Sequence, residues 1–344
     1  MEVPERVLVI RIGRLGDTLL ATSIVQALHQ AYGTQVLIDF AVSPGAGAAI
    51  LSLDQRINRV FPISRRRWPW YLNPLKRRLR KHSGEEPYDM VFNLECGPQC
   101  DDFIRFIHAR KFFGRPLTEP RHIRGRHCVD TEKTIYADVL GSEAAAAAVP
   151  FLQLPRGVKH HPGAVEGAYV ILNPGFSGVH KRGYRSHRRW PDRHWIRLID
   201  LITGSGRAIA INGSKEEKRC FESLLDRPGV HSLFGSSLPE LIGSMSGARC
   251  VISVDTGSVH LAAALGIPVI ALCGPTDPGL TGPYPGKAPS RVLTSGVVCQ
   301  PCFQTPLQKQ CRFNRCMQEL SPDVVFEAFE NMMSQVGYAA SVKP

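Results

Sequence analysis

The sequence predicts an α/β protein built as two successive doubly wound halves. Two observations carry this. Short, apolar, β-branched runs alternate with amphipathic helical patterns along most of the 344 residues, the signature of parallel sheets covered on both faces. That alternation breaks once, across residues 141–167, where an alanine run gives way to Pro150, Pro155, Gly157, Pro162, Gly163 and Gly167, and then restarts. The expected domains are residues 1–160 and 161–344, with a ligand cleft between them. In open parallel sheets, ligands sit beyond the carboxyl ends of the strands.

In the first half, residues 6–12 read as a strand and 18–29 as a helix with Leu20, Ile24, Ala27 and Leu28 on one side. Further strands are expected at 35–42, 57–63, 89–94 and 111–114, with helices at 100–109 and 130–140. Residues 151–154 suit a short strand within the linker. In the second half, strands are expected at 169–172, 207–211, 230–234, 250–254 and 268–273. Helices are expected at 192–203, 215–225 and 238–246, and another from Thr256-Gly257. Ser321-Pro322-Asp323 caps a last helix over 321–336, which is expected to pack back on the first half.

Apolar residues make up 43% and charged residues 21%, as in a packed globular protein. No apolar run reaches a membrane span. The chain enters its first strand without a basic flank and long apolar core, so a secretory signal is not expected. Ten cysteines then favour reduced thiols in a cytoplasmic setting over a disulfide framework. The net charge of +12 implies acidic partners. It is concentrated in Arg65, Arg66, Arg67, Lys76, Arg77, Arg78, Arg80 and Lys81, and again in Lys181, Arg182, Arg185, Arg188 and Arg189. The first cluster interleaves Trp68, Trp70 and Tyr71. Cations with interfacial aromatics suit an anionic membrane surface or a phosphorylated lipid; a solvated basic helix is the plain alternative. No helix-turn-helix, RNA-recognition or zinc-finger pattern supports nucleic acid as the partner.

Four sets of residues bear chemistry. A helix beginning at Thr256-Gly257 aims backbone N–H groups at an anion. Asp255 beside it can hydrogen-bond sugar hydroxyls, and His260, one turn in, can donate to a phosphate or hydroxyl. Simple capping by Asp255 or Thr256 is the alternative. Asp17, at the mouth of the first strand–helix turn, can take a proton from an attacking hydroxyl or merely cap its helix. Lys181 and Arg188 in the basic loop suit the charge that grows on a departing diphosphate. Glu217, after the second strand of its half, can hold the two hydroxyls of a ribose or be an ordinary first-turn glutamate. Separately, Cys299, Cys302, Cys311 and Cys316 could supply one structural zinc site, with clustered thiols as the other reading.

Taken together, these residues resemble glycosyltransferase family 9, the heptosyltransferases of the lipopolysaccharide core. The matching motifs are Gly16-Asp17-Thr18, Arg189-Trp190-Pro191 with Trp195, Leu233-x-Gly235-x-Ser237-Leu238-x-Glu240-Leu241, Asp255-Thr256-Gly257-x-x-His260-Leu261-Ala262 and Gly274-Pro275-Thr276-Asp277-Pro278. The resemblance implies a GT-B fold of two facing Rossmann-like domains, acceptor-binding then donor-binding. It implies an inverting heptose transfer from ADP-heptose to a Kdo or heptose of the lipid A-linked inner core, with no required cofactor. By motif position Asp17 matches the catalytic base and Glu217 the adenosine-ribose contact. Asp255, Thr256, Gly257 and His260 match the contacts to heptose and phosphates. Arg188 falls where the family usually carries a diphosphate lysine, which keeps the charge and changes the fork geometry. The expected location is the inner face of the cytoplasmic membrane. Another nucleotide sugar or cell-surface glycan is the alternative substrate pair, and nucleic-acid binding a remote one.

Overall fold

The computed structural model describes residues 3–64, 70–95, 106–115, 122–155, 168–179 and 187–341. The chain divides into two compact units, Met1–Arg156 and Gly157–Pro344.

The first unit holds a five-stranded, all-parallel sheet in the order β3-β2-β1-β4-β5. Its strands are β1 Arg6–Arg11, β2 Leu37–Val42, β3 Arg59–Pro62, β4 Tyr88–Asn93 and β5 Ala109–Gly114. The central strands are apolar on both faces: Val7, Leu8, Val9, Ile10, Ile38, Phe40, Val91 and Phe92 are all buried, as expected where helices cover both sides of a parallel sheet. The strand order reverses between β1 and β4. Among the described residues of this unit the α-helices are α1 Leu15–Leu20, α2 Ser23–Tyr32, α3 Ala46–Leu51, α4 Pro74–Glu85, α5 Cys128–Leu140 and α6 Ser142–Ala147.

The single helix expected over 18–29 is therefore two. Thr22 explains the break: its Oγ1 donates to Leu19 O at 2.7 Å and accepts from the Phe151 amide at 3.1 Å. That second bond ties the segment after α6 onto the joint between α1 and α2. Residues 151–154 form no strand; Gln153 O instead accepts from the Gln55 amide at 2.9 Å, and the Phe151 carbonyl accepts from Arg56. The alanine run read as linker forms α6. Of the helix expected over 100–109, residues 100–105 lie outside the described residues, and Ala109 already belongs to β5.

The second unit holds six parallel strands in the order β11-β10-β9-β6-β7-β8. These are β6 Tyr169–Asn173, β7 Ala208–Ile211, β8 Val230–Ser232, β9 Cys250–Val254, β10 Val269–Leu272 and β11 Ser290–Leu293. Counted from β6, this is the 3-2-1-4-5-6 order of dinucleotide-binding folds, and its switch point lies between β6 and β9. The longer helices are α7 Asp192–Gly204, α8 Leu238–Gly247, α9 Gly257–Ala264 and α10 Pro322–Ser341. Trp190 and Trp195, both fully buried, pack edge to face at 4.7 Å and anchor α7. Trp190 Nε1 donates to Leu320 O at 2.9 Å, so the tryptophan that precedes α7 also fixes the entry to α10. Val325, Ala328, Phe329 and Met332 of α10 lie in the core of this second unit.

The helix expected over 215–225 is replaced by a 3-10 turn, Lys218–Cys220, and one α-turn, Glu222–Leu225. Phe221 separates them with φ −135°. Its ring is buried and lies parallel to that of Phe234, and a regular helix would not carry it there.

Candidate functional site

Two polar centres occupy the switch points, one in each unit.

In the first unit, β1 ends at Arg11 and the chain turns through Gly13 into α1. Gly13 is required there. A Cβ on it would lie 2.7 Å from Asp17 Oδ2, so only glycine lets Asp17 fold back over the strand end. Asp17 Oδ2 accepts from the Arg14 amide at 2.9 Å, and Oδ1 stands 3.6 Å from Arg11 Nη2. The Asp17 side chain retains 21% exposure. Asp17 is thus both the helix-start acceptor that the capping reading describes and a carboxylate open to solvent. Arg11 is 2% exposed and also meets Glu132 Oε1 of α5 at 3.1 Å and Glu95 Oε1, just past β4, at 3.6 Å. Sequence reading missed this group because the partners of Arg11 lie 84 and 121 positions away.

In the second unit, the ends of β6, β7 and β9 converge. Asn173 Oδ1 accepts from Asn212 Nδ2 at 2.6 Å and from Ser258 Oγ at 3.0 Å. Asp255 follows β9 directly and is buried. Its Oδ2 accepts from Thr276 Oγ1 at 2.7 Å and lies 3.7 Å from Arg188 Nη2. Thr276 belongs to the Gly-Pro-Thr-Asp-Pro turn after β10, so the two motifs near the C-terminus meet in space. Thr256 is extended, with φ −145°, and α9 starts at Gly257. His260 is buried within α9. Glu217 reaches the same strand ends from the loop after β7: its Oε2 accepts from the Ser214 amide at 2.8 Å. Cβ atoms built on Gly175 and Gly213 would lie 2.6 and 3.2 Å from it. Asn173, Asn212 and Ser258 were not singled out from sequence, although Asn173 opens the visible Asn-Pro-Gly turn; Thr276 was seen only as part of its motif, without a role. Lys181 lies outside the described residues.

The cysteine-rich segment braces this centre from below. Gln300 Nε2 donates to the carbonyls of Cys273 and Gly274, and the Cys302 and Phe303 amides donate to Pro275 O, both at 2.9 Å. Arg188 lies over the Phe303 ring at 5.5 Å. Of the two readings of Cys299, Cys302, Cys311 and Cys316, the zinc site is not supported. Among the described residues no three His, Cys, Asp or Glu side chains are arranged to hold a metal ion. Cys299 is exposed, Cys311 half-buried, and Cys302 and Cys316 buried. Burial, reinforced by neighbouring Cys302, Cys299 and Cys311, pushes the Cys316 thiol up to about 11.

The basic surface expected around 65–81 is also revised. Arg65, Arg66 and Arg67 lie outside the described residues. Lys76 is 1% exposed and faces inward from the first turn of α4, so it cannot line a surface. Arg77, Arg78, Tyr71 and Leu72 are exposed.

The family model of glycosyltransferase family 9 (heptosyltransferase) matches residues 122–313, more than half of the chain. The chain belongs to that family. It is a glycosyltransferase with the two-domain GT-B type fold. It is 29% identical over 299 residues to lipopolysaccharide heptosyltransferase 1 of Salmonella typhimurium, covering 81% of this chain and 91% of that one. It is 27% identical over 330 residues to the Pseudomonas aeruginosa protein of the same name, covering 90% and 88%. Among solved structures, the E. coli heptosyltransferase WaaC with ADP superposes with a TM-score of 0.67 at 25% identity, over 95% of this chain and 99% of that one. The family 9 glycosyltransferase of Veillonella parvula reaches a TM-score of 0.77 at 16% identity, over 97% and 99%, and shares the fold. Within the glycosyltransferase, the family's C-terminal motifs are therefore the parts that build the β6–β9 switch point, and Arg189-Trp190-Pro191 with Trp195 is a core anchor.

Proposed function

We propose that this glycosyltransferase moves a heptose from ADP-heptose to a sugar of the lipid A-linked inner core, with inversion at the anomeric carbon. The observation that carries the reading is Asp17, a solvent-reaching carboxylate that accepts from the Arg14 amide and faces Arg11 at the switch point of the first sheet. The second unit binds the donor and the first the acceptor. Asp17 takes the proton of the acceptor hydroxyl as that oxygen attacks the anomeric carbon opposite the departing ADP. Negative charge then grows on the diphosphate. Arg188, Lys181 and the N-terminus of α9 at Thr256-Gly257 stabilise it, and His260 donates to the same oxygens. Asp255, fixed by Thr276 and Arg188, accepts from hydroxyls of the heptose. Glu217, lying over Gly175 and Gly213, accepts from the adenosine ribose. ADP is already a good leaving group, so fixed cations suffice where a poor one would need a strong acid.

The acceptor is lipid-linked, and the enzyme works at the inner face of the cytoplasmic membrane. No helix among the described residues is long and apolar enough to cross a membrane. Exposed Tyr71, Leu72, Arg77 and Arg78 supply the apolar and cationic contacts of peripheral docking, with Arg65, Arg66 and Arg67 beside them in sequence. The test of the reading is Asp17→Asn. ADP affinity is expected to stay within about twofold, while transfer falls by about 10²–10⁴. Near-full transfer would overturn the assignment of the base.

A further inference from the structure

The cluster beneath Asp17 is more elaborate than a single ion pair. Arg11 is the last residue of β1, and Glu95 follows β4 by two residues. The two strands are neighbours at the point where the sheet order reverses. Arg11 Nη1 donates to Leu94 O at 3.2 Å and faces Glu95 Oε1 at 3.6 Å, while Nη2 faces both Glu132 at 3.1 Å and Asp17 at 3.6 Å. One guanidinium therefore serves three carboxylates. Glu95 and Glu132 are buried; Asp17 is the member that reaches solvent.

A buried ion cluster is weak evidence for stability, because apolar residues of similar volume often do as well or better. What such a cluster does supply is a fixed orientation and a fixed potential at its exposed member. We infer that Arg11 is the positioning residue of the transfer reaction: it orients the Asp17 carboxylate and sets its basicity, and Glu95 and Glu132 divide the charge of Arg11 so that Asp17 receives only a share. This inference rests on the reading of Asp17 as the base.

The electrostatics run as follows. Burial pulls the Arg11 pKa down, and Glu132, then Asp17, Glu95 and Cys128 outweigh it and leave it raised, so Arg11 is charged throughout any working pH range. A carboxylate paired one-to-one with an arginine loses about 1–3 units of basicity, which makes a poor base. Sharing the guanidinium with two buried carboxylates offsets part of that loss. The orientation stays fixed, because Oδ1 faces Arg11 and Oδ2 accepts from the Arg14 amide. Arg115, Cys128 and Thr131 line the same recess, and exposed Arg14 contacts Asp17 through its amide.

The experiment is the pH profile of kcat, at saturating donor and acceptor, for the full chain. Removing a cation and removing a competing anion have opposite signs. Arg11→Met is expected to move the acid limb up by about 1–3 units and to lower the plateau about 10- to 100-fold through lost orientation. Glu95→Gln leaves Asp17 a larger share of Arg11 and is expected to move the acid limb down by about 0.5–1 unit. Arg11→Lys restores the charge without the fork, so the limb returns and the plateau recovers in part. The donor KM is expected to stay within about twofold in all three. Acid limbs that do not move, or that move in the same direction in Arg11→Met and Glu95→Gln, overturn the inference and leave a structural cluster. If Arg11→Met does not fold, Glu95→Gln decides alone. Full transfer by Asp17→Asn would instead remove the base reading itself. An inactive Asp17→Asn with an unmoved Glu95→Gln limb removes only the role of Arg11.

Discussion

Glu217 can be dislodged without touching it. Gly175 lies two residues beyond the end of β6, and a Cβ placed on it would stand 2.6 Å from Glu217 Oε2, 2.9 Å from Cδ and 3.0 Å from Oε1. Ordinary contact begins near 3.4 Å, so in Gly175→Ala the carboxylate must retreat by about 1 Å, a displacement large enough to break a hydrogen bond. The backbone of Gly175 is not in the left-handed region, so alanine adopts it without strain and the effect is confined to the side chain it meets. If Glu217 holds the donor ribose, the loss is that of a charge-assisted hydrogen bond, about 1.5–3 kcal/mol. At about 1.4 kcal/mol per decade this weakens ADP binding about 10- to 150-fold.

Calorimetric titration with ADP reads this directly, and a thermal melt shows that the fold is intact. Glu217→Gln is expected to weaken ADP in the same direction. The double variant should lose no more than the worse single, because both act on one contact. Glu216→Gln, at the exposed neighbouring position, should bind ADP as the parent does. Parental ADP affinity in both Gly175→Ala and Glu217→Gln would refute the ribose assignment. The same result from Glu217→Gln with a loss in Glu216→Gln would move the contact by one residue.

Two further outcomes test the second unit. Trp190→Phe removes the indole N–H from the buried Leu320 carbonyl and thins the packing against Trp195; it is expected to cost about 2–4 kcal/mol, seen as a lower urea midpoint at unchanged slope. A change below about 0.5 kcal/mol would deny Trp190 its anchoring role. With the Cys316 thiol pushed up to about 11, about one thiol in a thousand is thiolate at pH 8. Maleimide on the native protein should therefore modify exposed Cys299 well before Cys316, as peptide mass spectrometry would show. Equal rates would contradict the burial of Cys316.

The sheets were legible because a strand covered on both faces must be apolar on both. The runs at 6–12, 89–94, 169–172, 250–254 and 268–273 need no partner to be read. Helices that owe their place to packing were harder. Ala46–Leu51 is a short run of small residues, and α4 is so basic that composition hides its inward side. Leu79 and Lys76 both face inward there, and nothing in a run of cations tells which one turns away from water. The break at Thr22 depends on a hydroxyl meeting an amide 129 positions on, beyond any local pattern. Among the candidate site residues, Asp17, Asp255 and Glu217 could be picked out because each follows a strand end, where parallel sheets place ligands. Arg11, Glu95 and Glu132 were not, because each alone reads as an ordinary charged residue. The cysteine spacing left a metal and clustered thiols both open, and the surroundings give the segment a bracing role through Gln300 and two backbone amides.

The two switch points are built from different groups, and the net charge of +12 describes neither. Among the described residues Arg11 faces three carboxylates, two of them buried, and Arg115 lines the same recess. Around Asp255 the carboxylate meets Arg188 and Thr276, the neutral groups of Asn173, Asn212 and Ser258 lie at the same strand ends, and Glu217 reaches them from the loop after β7. A base that must accept a proton benefits from neighbouring negative charge; a diphosphate that must leave with its electrons does not. Exposed cations act over a distance and are screened by salt, so they bring anionic substrates to the protein without deciding where the chemistry occurs. Buried charges such as Arg11, Glu95 and Glu132 are screened far less. They can hold the two centres at different potentials under conditions where the surface charge has lost most of its reach.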